Sequence, residues 1–252
     1  MVNPTGSVAT FGDIAAQSGV SADTATSTAS VTRELIPTLT ATTTAAPTYT
    51  AQATAIATAT PQPAPVAPDA AIIDGCPTLA QSYSLSCEYA AASAVTLFWG
   101  NFVSEDVFVS QVPSSPNPHL GFRGDIYATF GGLDDYGVYA EALVPVLETN
   151  GYSANVFYGG VDRLKENVAA GNPVVVWITA GKYTPRTPVI ESYDGKSFTL
   201  VAGEHAVVIY GYDSDGVYIM DVASGSYAYT AWDSFVTRWS YFDQMALVIA
   251  PK

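Results

Sequence analysis

The rhythm of apolar and polar positions divides this chain into three parts. Up to about residue 70 there is no rhythm. Residues 36–60 hold 8 Ala and 10 Thr, and residues 61–68 read Pro-Gln-Pro-Ala-Pro-Val-Ala-Pro. Only Asp13, Asp23, Arg33, Glu34 and Asp69 carry charge before position 71. Side chains this small cannot bury enough apolar surface to offset the entropy lost on ordering the backbone. Residues 1–70 are therefore expected to form a disordered low-complexity stalk, stiffer near its prolines. Residues 71–252, rich in Val, Tyr, Phe and Trp, are long enough to enclose one sizeable core.

A helical rhythm comes next. Ser86 to Gly100 is expected as a buried, alanine-rich helix, with Ser86 as N-cap, Glu88 in the first turn and Gly100 in the left-handed position past its end. A second short helix is expected from Ser104. Three prolines and five glycines between positions 113 and 137 predict a long irregular loop. Helices follow at Tyr139–Asn150, kinked or started late by Pro145, and at Val161–Ala170, stopped by Gly171-Asn172-Pro173.

Beyond Pro173 the rhythm becomes that of strands. Val174–Ile178 is a continuous β-branched run suited to a buried strand. Ser197–Val201, His205–Tyr210 and Val217–Met220 follow, the last two joined by Asp213-Ser214-Asp215-Gly216 as a hairpin turn, and Met245–Ala250 closes the chain. Helices first and an antiparallel sheet second indicate an α+β domain.

Charge and cysteine content narrow the functional classes. The net charge is −14, and the first lysine is Lys165. Such a chain is repelled by nucleic acid and by anionic membrane surfaces. No run of about 20 apolar residues is present, so no membrane insertion is expected. A Thr/Ala/Pro stalk suits an extracellular or cell-surface domain, although no targeting segment is visible. There are two cysteines, Cys76 and Cys87, too few for a disulfide framework, and no Cys/His cluster has zinc-ligand spacing. No cofactor is expected, and the protein is expected to be a monomer.

Cys87 stands in the first turn of the apolar helix, where the helix dipole favours a thiolate. Only His119 and His205 could serve it as base. His119 lies in the Pro/Gly loop, whereas His205 opens a core strand. Asp221 ends the partner strand of the hairpin, so antiparallel pairing should bring it to His205 as the group that orients the imidazole. Weaker signals have plainer readings. Arg123-Gly124-Asp125 is a short loop match to an adhesion tripeptide. Asp134-Asp135 offers too few ligands for calcium. Gly195-Lys196-Ser197 lacks the first glycine of a phosphate-binding loop and reads as a turn.

Gln81 to Glu88, Gly203-Glu204-His205-Ala206-Val207-Val208 with Gly211-Tyr212-Asp213, and Val217 to Asp221 together resemble the C39-like peptidase family of the papain superfamily, from about Pro77 onward. Asn172-Pro173-Val174 to Trp177 fits that family's central strand. The resemblance implies a papain-like α+β fold, with a helical N-terminal part packed on an antiparallel sheet. It implies Cys87 as nucleophile, His205 as base, Asp221 as orienter and Gln81 as oxyanion donor. The substrate would be a peptide or protein, cleaved at peptide or amide bonds. The same site could pass its acyl group to an amine instead of water. The other readings are a surface-displayed binding module without turnover, and an enzyme latched by a Cys76–Cys87 bond.

Overall fold

The structure, a computed structural model, describes residues 67–181 and 186–252. The expected stalk falls almost wholly outside these residues. In chain order the elements are β1 (Ala71–Ile72), α1 (Cys87–Phe98), α2 (Glu105–Gln111), α3 (Ala140–Thr149), β2 (Tyr152–Phe157), α4 (Val161–Ala169), β3 (Val174–Thr179), β4 (Val189–Tyr193), β5 (Lys196–Leu200), β6 (Glu204–Tyr212), β7 (Gly216–Asp221), β8 (Ser226–Ala231), α5 (Trp232–Ser240) and β9 (Ala246–Pro251).

The main sheet is antiparallel, in the order β2-β9-β3-β6-β7-β8, and β1 adds a short pairing to the end of β6. Strand β3 is buried at every position because both faces of the sheet are covered. Its side chains alternate. Val175 and Trp177 join the core beneath α1 and α3, while Val174, Val176 and Ile178 join a second core with Leu164 and Val168 of α4 and Phe235 and Trp239 of α5. Helices thus lie on both faces, and the domain remains α+β.

Three local expectations need correction. Pro145 does not delay α3: the helix begins at Ala140 and runs through the proline to Thr149. One backbone donor is lost there, and the Thr149 hydroxyl donates to the Pro145 carbonyl at 2.8 Å. Ser86 precedes α1 but does not cap it, because its hydroxyl is engaged with Tyr83 and the carboxylate of Glu105. Cys76 and Cys87 are both free thiols, so there is no latch. Of Gly195-Lys196-Ser197 only Gly195 lies in the turn, and Lys196 and Ser197 open β5. Asp194 (φ 50°) and Gly195 (φ 71°) join β4 to β5 in a two-residue hairpin, which needs positive φ at both positions.

Candidate active site

Cys87 is the first residue of α1, so its N–H has no acceptor within the helix. The preceding loop is tied down from the side. The buried carboxylate of Glu105 accepts the Ser82 N–H at 2.9 Å and also holds the Ser86 hydroxyl. Beneath the sulfur, α1 is buried from Cys87 to Thr96, which fixes the helix against β6 and β3. The Cys87 sulfur accepts the Ala206 N–H at 3.4 Å and lies 3.3 Å from Glu88 Oε2. Ala206 follows His205 directly, so the helix start meets the sheet at the histidine's own strand.

His205 sits at the beginning of β6, buried to 8 % exposure, and faces Ile178 of β3 in the ladder. Its Nε2 lies 2.8 Å from Asp221 Oδ1. That pairing depends on a bulge. Tyr212 opposes Val217 and Gly211 opposes Tyr218, but after a register shift at Tyr210 it is Ile209 that opposes Ile219 and Val208 that opposes Met220. One extra residue in β6 moves every later side chain of the partner to the other face. Asp221 therefore shares a face with His205 and reaches it diagonally. Asp221 Oδ1 also accepts the Ala223 N–H at 2.9 Å, which holds the carboxylate in place.

Gln81 lines the same cleft, about 240 Å³ in volume, together with Leu85, Cys87, Gly131, Glu204 and His205. Its backbone N–H donates to Val222 O at 2.8 Å, anchoring it beside the end of β7. Its side-chain amide donates to Tyr83 O at 2.8 Å and Ser84 O at 2.9 Å. Three of the four expected residues, Gln81, Cys87 and His205, thus line one cleft, and Asp221 joins them through its contact with His205; the amide of Gln81 is turned into its own loop.

The Peptidase_C39 like family matches residues 73–247. The chain belongs to that family. The uncharacterized protein YvpB of Bacillus subtilis is 27 % identical over 181 residues, covering 65 % of this chain and 68 % of YvpB. The crystal structure of a candidate C39-like peptidase from Bacillus anthracis has the same fold, with a TM-score of 0.64 and 23 % identity, over 73 % of this chain and 99 % of that one.

In this C39-like domain the electrostatics are unlike those of a free helix terminus. Burial pushes the Cys87 thiol well above its ordinary value, and the charges of Glu204 and Glu88 push the same way, against the Ala206 hydrogen bond. The hydrogen bond from His205 holds Asp221 below the usual carboxylate range, against a smaller opposing effect of burial. Burial alone pushes the Cys76 thiol up to about 12, which leaves it inert.

Three residues of the C39-like site have tasks that spacing and composition did not reveal. Glu105 clamps the Gln81–Ser86 loop. Glu88 accepts the Val138 N–H at 2.7 Å through Oε1, and Glu204 brings a second carboxyl to the sulfur. The signal available for Glu204 was a charged residue opening an otherwise apolar strand. Cys87, Glu88 and Glu204 bring three potential ligand atoms within 4.8 Å of one another. Glu88 Oε1 is taken by the Val138 N–H, and no fourth ligand joins the three among the described residues.

His119 lies elsewhere. Its Nδ1 pairs with Glu141 Oε2 at 2.8 Å, beside Tyr139 and Tyr158 in a separate pocket. The adhesion reading of Arg123 also finds no display surface. The guanidinium bonds to Glu191, Leu133 O and Pro116 O, and its side chain is only 12 % exposed.

Proposed function

We propose that this chain is a cysteine peptidase or amidase that works through a covalent acyl-enzyme. The observation that carries the proposal is the join between α1 and β6. There the sulfur of Cys87 is held by the N–H of Ala206, next to a histidine whose ring pairs with Asp221, and Cys87 and His205 line one cleft. Because Nε2 of His205 faces Asp221, Nδ1 is the nitrogen left to act as base. In this reading Nδ1 takes the thiol proton as the sulfur attacks the substrate carbonyl. Attack by a neutral thiol with concerted proton removal suits a cleft in which the thiolate is unfavourable.

The tetrahedral oxyanion would form at the start of α1, where the Cys87 N–H is free to donate and the helix dipole is favourable. Gln81 supplies the second donor by exchanging one of its loop carbonyls for the oxyanion. His205 then passes its proton to the leaving amine. Water, deprotonated by the same nitrogen, cleaves the thioester and releases the acid. The substrate class is a peptide or protein segment.

Digestion of a peptide library, with new termini read by mass spectrometry, tests this reading. The parent protein should generate cleavage products, and Cys87→Ala should generate none. Equal product formation by the two proteins would overturn it.

A further inference from the structure

The mechanism above uses neither of the two carboxyl groups packed against the sulfur. Glu88 is fully buried, with Oε1 on the Val138 N–H and Oε2 3.3 Å from Cys87 Sγ. Glu204 comes in from the start of β6, and its buried Oε1 has no hydrogen-bond partner among the described residues. The two carboxyls face each other beside Gly137. A methyl group on that glycine would come to 2.0 Å from Glu88 Oε1 and 3.3 Å from Glu204 Oε2. Gly137 also has φ of 130°, so its own geometry reserves the space for the pair.

The surroundings supply little counter-charge. Facing the pair are the Cys87 thiol, His205, and the hydroxyls of Tyr136, Tyr139 and Tyr89. Tyr136 and Tyr139 are bonded to each other at 2.7 Å, and Tyr139 donates on to Thr199 O. Arg186 lies beside Gly203, but its guanidinium is directed at Ala180 O. Among the described residues neither carboxyl forms an ion pair with a lysine or arginine. Two carboxylates in one buried site cannot both ionise without a counter-ion, and one proton placed between them removes the conflict.

We propose that Glu88 and Glu204 share one proton and act as positioning residues that keep Cys87 a neutral thiol while the cleft is empty. The consequence for turnover rests on Cys87 being the nucleophile; the shared proton does not. The physical cause is the same for each group. Burial first, and then the partner's charge, raises the Glu204 carboxyl well above its ordinary value, and burial raises Glu88 as well. The remaining negative charge opposes a thiolate 3.3 Å away. A substrate that fills the cleft and displaces water would meet a nucleophile not already spent on adventitious oxidants or alkylators.

The test needs no substrate, so it succeeds or fails independently of peptide cleavage. Cys87 alkylation by iodoacetamide is followed across pH in the parent and in the double variant Glu88→Gln/Glu204→Gln, which removes the single negative charge of the pair, with Cys76 as internal control. Removing one charge should lower the pH midpoint of Cys87 alkylation by about one unit. At neutral pH that is a rate increase of about tenfold, while Cys76 stays unchanged. An unchanged or raised midpoint in the folded variant would overturn the proposal. If the variant does not fold, the carboxyl carbons of the parent, labelled with 13C at glutamate, decide the matter. The proposal requires one glutamate of the pair to keep its proton far above the ordinary value of about 4.3. Titration of every glutamate in the ordinary range would overturn it.

Discussion

Two histidines in this chain each hold a carboxylate at 2.8 Å, and the two sites differ in nearly everything else. His119 and Glu141 join a loop to α3, with side chains 31 % and 37 % exposed, and Tyr158 adds its hydroxyl to the same carboxylate. His205 and Asp221 sit on adjacent ladder strands, and the His205 side chain is 10 % exposed. A His–carboxylate contact by itself is therefore no sign of catalysis. The distinguishing features of His205 are a thiol held by the next backbone N–H and a ring fixed by the hydrogen-bonded ladder of β3, β6 and β7.

Exchanging the roles of the two histidines should break this comparison most sharply. His205→Ala should abolish cleavage, since general acid–base catalysis alone contributes roughly 10²- to 10⁴-fold and here also activates the nucleophile. His119→Ala should leave turnover at the parent's level. An essential His119 beside a dispensable His205 would reverse the account.

Gln81→Ala comes next. Loss of one oxyanion donor should cut turnover roughly 100- to 1000-fold with Cys87 alkylation unchanged. A parent-like rate would leave Gln81 as the loop brace that its contacts with Tyr83 and Ser84 describe.

The carboxylates should separate more gently. Asp221→Ala costs orientation and stabilisation of the imidazolium, but the ladder still places His205; a loss of about tenfold, or about 1.4 kcal/mol, is expected, against none for Glu141→Ala. The smallest effect is on acid stability. Burial raises the Glu141 carboxyl, but the bonds from His119 and Tyr158 outweigh it and hold the group below its ordinary value. A carboxyl depressed in the folded state contributes stability above its unfolded value of about 4.3 and loses it as pH falls through the folded value. The melting temperature of Glu141→Gln should therefore fall less steeply than the parent's between about pH 5 and 3. Parallel curves would show that the exposed pair contributes nothing.

The sequence made the proposed nucleophile and base legible for definite reasons. Cys87 begins a strongly apolar helix, and only two histidines compete to serve it. Asp221 was legible through the hairpin turn, yet the bulge at Tyr210 that puts it on the right face left no mark in the pattern. Without that bulge a simple register would have aimed Asp221 at the opposite face. Strand β8, Ser-Tyr-Ala-Tyr-Thr-Ala, was not legible because it is an edge strand with little burial and no inward apolar set. Helix α5 was legible in principle: Trp232, Phe235, Val236 and Trp239 fall at helical spacing. The Glu88–Glu204 pair could not be read, because the residues are 116 positions apart and meet only when α1 docks on β6.

The most direct test of the central claim is to trap the acyl-enzyme. The protein is mixed briefly with an activated ester, and intact mass followed by peptide mapping locates the acyl group. The account predicts a single acyl group on Cys87, absent in both Cys87→Ala and His205→Ala. Acylation of Cys76, or of Cys87 at the same rate without His205, would contradict it.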